Sequence, residues 1–141
     1  MTALRIYKEQ IHREPKLMKG LYDALEEYRV QPSLFLTGVD SVVIAAAGDQ
    51  LRDKIEALQG SIERHVRPAS FEVIAGLALL GVVGEGLASR PGAAYHLFSA
   101  LEREKIELIF VEGGSSGLSL TVGLEEGALP AAMRAIYRAF A

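Results

Sequence analysis

The chain has 141 residues, of which 50% are hydrophobic and 23% are charged, so it can bury a sizeable core as one domain or as two small modules. Fifteen basic residues against eighteen acidic ones give a net charge of −3, which predicts no strong attraction to nucleic acid or to an anionic membrane. The absence of cysteine excludes a disulfide framework, a thiolate nucleophile and a cysteine-ligated zinc site, and it fits the reducing cytoplasm.

The apolar runs of the sequence are too short to cross a membrane. The longest of them, Leu77 to Val83, has about seven residues, whereas a transmembrane helix needs roughly 20. The segment from Met1 to Arg13 mixes charged residues with single apolar ones and lacks the continuous apolar core of a signal peptide. We therefore expect neither a membrane span nor export.

The first half of the chain predicts the order strand, helix, strand, strand, helix, strand. Pro15 can begin the first helix, because its missing N–H would have no partner in the first turn, and apolar residues recur at helical spacing from Met18 to Tyr28. Gly38-Val39-Asp40, between two β-rich runs, is typical of a hairpin turn. The apolar stripe from Leu51 to Ile62 predicts the second helix, with Asp49 as its N-cap.

The same order begins again at Leu77. Strands are predicted at 77–84, 106–111 and 118–124, and Pro91 begins a helix between the first two. The inward stripe of the last helix is predicted to be Leu129, Met133, Ile136, Tyr137 and Phe140. Two βαββα units about 65–70 residues apart imply an α+β fold of two ferredoxin-like sandwiches, each with two helices on one face of an antiparallel sheet.

The second repeat resembles the second ACT module of aspartokinase regulatory regions over Leu79 to Val122, LLGVVGEGLASRPGAAYHLFSALEREKIELIFVEGGSSGLSLTV. In that family a strand ends in a Val-Gly-Glu-Gly-like turn, Pro-Gly starts the helix, and a Gly-Ser-Ser turn precedes the next strand. The first repeat is similar to the first module of the same pair through its element order and the run Val30 to Ile44. The resemblance implies a divergent ACT module 1 at 1–76 and ACT module 2 at 77–141.

The resemblance covers the regulatory part of an aspartokinase and leaves out its amino-acid kinase domain. The chain is then either a stand-alone regulatory protein or a fragment of a longer one, and the methionine at its start favours the first. We expect a non-catalytic regulatory protein that needs no cofactor. In the family, the edge strand of the second module comes from chain that precedes the first, which implies that this second module lacks its last strand. Because an unpaired sheet edge invites association, we expect a homodimer or higher oligomer, or docking onto a separately encoded amino-acid kinase.

The resemblance also implies a ligand site. Paired ACT modules of this family bind a small amino acid such as lysine or threonine at their interface, with the loop between the first strand and the first helix and with the start of the second strand. In the first module the corresponding residues are Glu14, Lys16, Leu17, Met18, Gln31, Pro32 and Ser33. In the second module they are Glu85, Gly86, Ser89, Arg90, Pro91, Gly92, Ala93 and Glu107.

Several of these positions depart from the family pattern. The family usually has Gly-Phe near Lys16 and Leu17, and near Ser33 an Asp that receives the ligand ammonium, a charge that serine cannot supply. The family's Asn stands where this sequence has Glu107, and its Glu after Gly-Ser-Ser is replaced by Gly117. These changes favour the alternative of a structural or partner-docking subunit that has lost ligand binding.

The residues themselves leave two interpretations of the Gly84-Glu85-Gly86 turn. It either presents N–H groups to a carboxylate at the start of the following helix or merely reverses the chain. A dinucleotide site is not indicated, since the third glycine of that motif is missing. His12, His65 and His96 lack the spacing of metal ligands, so we expect no metal site. Ser115 and Ser116 have no neighbouring His-Asp pair, and no set of acid and base residues converges, so we expect no enzymatic activity.

Overall fold

A computed structural model describes residues 1–84, 92–113 and 119–140 of the chain. These residues form two compact units, Met1–Ala75 and Gly76–Ala141. Each unit has a sheet and a hydrophobic cluster of its own. The α+β fold with two ferredoxin-like modules is thereby confirmed.

The first unit has four strands and three helices. In chain order they are β1 (Thr2–Tyr7), α1 (Pro15–Glu27), β2 (Leu34–Thr37), β3 (Ser41–Ala46), α2 (Gly48–Leu51), α3 (Ile55–Val66) and β4 (Ser70–Ile74). The strands form an antiparallel sheet in the order β2-β3-β1-β4, so that β2 and β4 lie at its edges.

The core of the first unit lies between one face of this sheet and the helices α1 and α3. Alternate residues of the two central strands contribute to it, because successive side chains of a strand point to opposite faces. Leu4 and Ile6 of β1 and Ile44 of β3 are fully buried there. Leu21 of α1 and Leu58 of α3 belong to the same cluster. The pattern of apolar residues thus fixes which side of each element faces inward.

The second predicted helix of this unit is interrupted. The sequence predicts one helix through Leu51 to Ile62, but the structure ends α2 at Leu51 and begins α3 at Ile55. Between them Asp53 has a φ of 60°, a left-handed conformation that does not continue a right-handed helix. Asp49 lies inside α2 and does not cap it. The apolar stripe does not reveal this break, because apolar residues before and after the break are both buried, as Leu51 and Leu58 are.

The second unit has three strands and two helices in the described part of the chain. They are β5 (Leu77–Val83), α4 (Ala93–Arg103), β6 (Leu108–Gly113), β7 (Ser119–Glu125) and α5 (Leu129–Phe140). The antiparallel sheet has the order β5-β7-β6, one strand fewer than that of the first unit. A bulge at Ile109 shifts the pairing of β6 with β7. The ring of Phe110 covers Gly123, and a Cβ added to Gly123 would lie 2.6 Å from that ring.

The last helix turns a different face to the core than the sequence predicts. Ala132 and Ile136 are buried, whereas Met133 and Tyr137 are 53% and 76% exposed, respectively. Phe140, which the same helical spacing predicted to face inward, is 39% exposed. The small residues Ala132 and Ala135 are buried in the place of these larger ones. The described residues contain no helix that is both long enough and apolar enough to span a membrane.

Candidate functional site

The connection from β1 to α1, residues 8–14, is held by hydrogen bonds to the β2–β3 hairpin turn. The Lys8 N–H donates to the Asp40 carbonyl oxygen at 2.8 Å, and the Gln10 N–H donates to Asp40 Oδ1 at 2.7 Å. His12 donates from Nδ1 to the Val39 carbonyl oxygen at 2.9 Å. We call residues 8–14 the α1 loop. Its main chain therefore has a defined position beside the hairpin.

The predicted residues of the first module divide into two sets, of which the first follows the α1 loop. Glu14 is exposed and precedes Pro15, the first residue of α1. Lys16 is exposed, while Leu17 and Met18 are half-buried and pack against the core cluster. The side chains of Leu17 and Met18 therefore contribute to the packing of the core.

Most main-chain donors at the start of α1 already have acceptors. The Glu14 N–H donates to the Ile11 carbonyl, and the N–H groups of Leu17 and Met18 both donate to the Glu14 carbonyl. Pro15 has no N–H. Within the described residues, the Lys16 ammonium group has no ion pair or side-chain hydrogen bond, and its N–H, in the first turn of α1, has no acceptor. These two donors are available to an anion.

The neighbouring cation on α1 is already paired. Lys19 Nζ lies 2.7 Å from Asp23 Oδ2. The hydrogen bond to this carboxylate and its charge raise the pKa of Lys19 above the usual 10.5. Lys19 is therefore paired with a carboxylate, whereas Lys16 has no ion-pair partner in the described residues.

The second set, Gln31, Pro32 and Ser33, precedes β2 and is exposed. The Ser33 N–H donates to the Ala45 carbonyl at 2.8 Å and extends the pairing of β2 with β3 by one residue. The Gln31 N–H donates to Gln50 Oε1 at 3.1 Å. These contacts fix the main chain where it enters the edge strand.

The two sets lie at opposite ends of the sheet. Strands β1 and β2 are both antiparallel to β3 and hence parallel to each other. Leu34, at the start of β2, is level with Ala3 through their shared partner Ala45, whereas the α1 loop follows Tyr7 at the far end of β1. Four residues at about 3.3 Å each separate the two levels by about 13 Å. A single module therefore does not bring Glu14 and Lys16 together with Ser33.

In the second module the structure describes three of the eight predicted residues. Gly92 precedes α4 with a φ of 88°, which favours glycine, and its carbonyl accepts the His96 N–H at 2.9 Å. Ala93 is buried, and Glu107 is exposed between α4 and β6. The other five lie outside the described residues, namely Glu85, Gly86, Ser89, Arg90 and Pro91.

A cleft that the sequence did not indicate lies at the start of β1. It has a volume of about 340 Å³ and is lined by Thr2, Gly48, Leu51, Arg52, Asp53, Ile55 and Glu56. Its lining combines one guanidinium with two carboxylates. The charged run Arg52-Asp53-Lys54, which interrupts the apolar stripe of the predicted helix, was the available signal. In the described ranges, no three His, Asp or Glu side chains are grouped so as to hold a metal ion.

Comparison with known proteins adds a family match and relatives. A family model for the ACT domain matches residues 80–140. The chain is 33% identical over 98 residues to the bifunctional aspartokinase/homoserine dehydrogenase 2 of Arabidopsis thaliana, a match that covers 69% of this chain and 10% of that protein.

Several solved structures match nearly the whole chain, including the following two. The aspartate kinase of Clostridium acetobutylicum, described as an allosteric enzyme, matches 99% of this chain and 32% of its own, with a TM-score of 0.89 and 30% sequence identity. The regulatory subunit of aspartate kinase from Thermus flavus has the same fold, with a TM-score of 0.85 and 18% identity, over 99% of this chain and 92% of that one. This chain thus spans about a tenth of the Arabidopsis protein, a third of the Clostridium enzyme and most of the Thermus subunit.

Proposed function

Because this chain is an ACT regulatory region of the aspartokinase family, we propose that it is a non-catalytic regulatory protein that binds a small amino acid between two ACT modules. The likeness to the C. acetobutylicum aspartate kinase over 99% of the chain is the observation that carries this proposal. That enzyme is described as allosteric. The same stretch of this chain also matches 92% of a separate regulatory subunit of aspartate kinase from Thermus flavus.

The geometry of the first unit supports a site shared by two modules. Since the α1 loop and Ser33 lie at opposite ends of one sheet, a small ligand can touch both only if they come from different modules. Two modules that pair antiparallel along the edge strand β2 would bring the loop of one beside the strand start of the other. A twofold axis produces this arrangement in a homodimer, which we propose as the functional assembly.

Lys16 and Glu14 supply the charges that such a ligand needs. We propose that Lys16 binds the carboxylate through its ammonium group and its main-chain N–H, while Glu14 or carbonyl oxygens receive the ligand ammonium. In the second module Glu107 offers a second carboxylate for the same purpose. Charge-assisted hydrogen bonds of this kind contribute about 1.5–3 kcal/mol each. Occupancy would act by favouring the arrangement of modules that binds the amino acid more tightly.

Thermal unfolding of the chain in the presence of each of the twenty amino acids tests the proposal. We expect lysine or threonine to raise the melting temperature, because a ligand at 100 times its Kd stabilises the folded state by about 2.7 kcal/mol. Isothermal calorimetry with the best amino acid should then give a saturable signal. A well-folded sample that none of the twenty stabilises would contradict the proposal.

A partner-docking subunit is the second candidate. It is favoured by β5, which pairs with β7 on one side and is an edge strand of the three-stranded sheet in the described part of the chain. It is also favoured by Ser33, which lacks the charge of the family's Asp. The partner would be a separately encoded amino-acid kinase in the cytoplasm. Co-elution with such a purified kinase, in the absence of any amino-acid effect, would select this function over the first.

A further inference from the structure

The α1 loop contains a main-chain conformation that its surroundings must maintain. Gln10 has a φ of 54° and a ψ of 33°, in the left-handed region that residues other than glycine rarely adopt. Such a conformation persists when neighbouring groups impose it. The groups that contact it belong to the β2–β3 hairpin, thirty residues further along the chain.

Asp40 accepts hydrogen bonds from the loop at Gln10, the left-handed residue, and at Lys8, two residues before it. Its carbonyl oxygen accepts the Lys8 N–H at 2.8 Å, and its Oδ1 accepts the Gln10 N–H at 2.7 Å. We call these two hydrogen bonds the Asp40 contacts. A carboxylate acceptor makes the second of them charge-assisted and hence stronger than an ordinary amide contact.

The Asp40 contacts connect to the start of α1 through a short rigid segment. The Arg13 N–H donates to the Gln10 carbonyl at 3.0 Å, and the Glu14 N–H donates to the Ile11 carbonyl at 3.1 Å. Ile11 is fully buried in the core, so the segment cannot shift freely. The position of Glu14, and of Lys16 after it, therefore depends on how the loop is held at Gln10.

The hairpin that carries Asp40 also carries the edge strand of the sheet. The Gly38 N–H donates to the Ser41 carbonyl at 2.8 Å and closes the turn between β2 and β3. Strand β2 has a single neighbour, β3, within the described sheet, so β2 is the strand of this hairpin that can move with the turn. The α1 loop thus meets this hairpin at Asp40 and at Val39, whose carbonyl oxygen accepts from His12.

We propose that Asp40 is a positioning residue that sets the conformation of the α1 loop and couples amino-acid occupancy of that loop to the edge strand β2. The coupling rests on the proposed function, whereas the positioning does not. A ligand bound by Glu14 and Lys16 shifts the segment from Gln10 to Glu14. Because Asp40 contacts Gln10, this displacement reaches the hairpin. The carboxylate touches no ligand in this scheme.

Amide hydrogen exchange in the full chain, measured by NMR without ligand, tests the positioning role. Asp40→Ala removes the carboxylate that accepts the Gln10 N–H and keeps the carbonyl that accepts the Lys8 N–H. We expect the protection factor of the Gln10 amide to fall at least tenfold. Asp40→Asn keeps an oxygen acceptor and should restore most of the protection. Glu9→Ala is the matched control, since it also removes a carboxylate from this loop. The Glu9 carboxylate is exposed and makes no hydrogen bond in the described structure. Equal protection of Gln10 in Asp40→Ala and Glu9→Ala would overturn the positioning role.

Amide chemical shifts on addition of an equimolar mixture of the twenty amino acids test the coupling. In the unmodified chain we expect shifts both in residues 8–14 and in β2. In Asp40→Ala the loop should still respond, whereas the shifts of β2 should fall to less than half. Undiminished shifts of β2 in that variant would overturn the coupling.

The two measurements distinguish failure of the inference from failure of the proposed function. If the mixture moves no amide of the unmodified chain, the proposed function fails and the coupling fails with it. The protection of Gln10 then still decides whether Asp40 positions the loop. If the unmodified chain responds and Asp40→Ala responds identically, the amino-acid site stands and only the coupling is lost.

Discussion

Lys16 is the residue on which the proposed recognition depends most. It is exposed, and its charge has no ion-pair partner in the described residues, whereas Lys19, one turn further along α1, is paired with Asp23. The difference between these two lysines is a difference of surroundings, because their side chains are the same.

Replacing Lys16 by Met should weaken amino-acid binding about tenfold or more, since a charge-assisted hydrogen bond contributes about 1.5–3 kcal/mol. Calorimetric titration with the amino acid that stabilises the unmodified chain would measure the change in Kd. Lys19→Met is the matched control and should alter Kd less than threefold. Equal effects of the two substitutions would show that general positive charge, rather than Lys16, attracts the ligand.

Ser61 of α3 has a buried side-chain hydroxyl without a hydrogen bond in the described structure. It is 1% exposed, and its Oγ has no partner. A buried hydroxyl in this state costs about 1–3 kcal/mol, because it has lost its hydrogen bonds to water.

Ser61→Ala should therefore raise the free energy of unfolding by about 1 kcal/mol in urea titrations. Ser70→Ala, at an exposed position of β4, should change it by less than about 0.5 kcal/mol. A loss of stability in Ser61→Ala would mean that the hydroxyl has an acceptor in solution.

Helix α3 ends in a conformation that its sequence does not favour. Arg67, which follows Val66, has a φ of 53°, and its N–H donates to the Glu63 carbonyl at 3.1 Å. Glycine is the residue commonly found at this position, because it has no Cβ to clash in the left-handed region. Arg67 is exposed, so its side chain can be removed without creating a cavity.

Arg67→Gly should raise the free energy of unfolding by about 1 kcal/mol, as judged from the cost of a left-handed residue that carries a Cβ. Arg64→Gly, inside α3, should lower it by about 1 kcal/mol, because glycine there increases the entropy lost on folding. Urea unfolding measures both variants, in which the same substitution of arginine by glycine should change the free energy of unfolding in opposite directions. A loss of stability in both would contradict the left-handed helix end.

The elements differ in how far the sequence predicted them. Helix α1 begins at Pro15 as expected, since the proline and the apolar stripe after it are both local signals. Helix α5 also forms where it was predicted, but Met133 and Tyr137 face outward. The direction of a helix face depends on which residues fit against the sheet, and that is decided by other parts of the chain.

At the scale of the whole molecule, the proposed homodimer places the site between modules from two copies of the chain. Its formation should therefore depend on protein concentration. We expect sedimentation velocity at low micromolar concentrations to show a monomer–dimer equilibrium that the bound amino acid shifts towards the dimer. Lys16→Met should remove the effect of the amino acid without removing the dimer at high concentration. Ligand binding that leaves the sedimentation of the chain unchanged would place the site within one copy.

The sequence by itself determined the tandem repeat, the α+β class and the family, because apolar periodicity, turn residues and short motifs are properties of neighbouring residues. It also pointed to Glu14 and Lys16 through that family. Only the tertiary structure decided that these residues and Ser33 lie at opposite ends of one sheet, that Asp40 holds Gln10 in a left-handed conformation, and that Arg52 and Glu56 line a common cleft. These relations join residues far apart along the chain, and the packing that brings them together depends on all the elements at once.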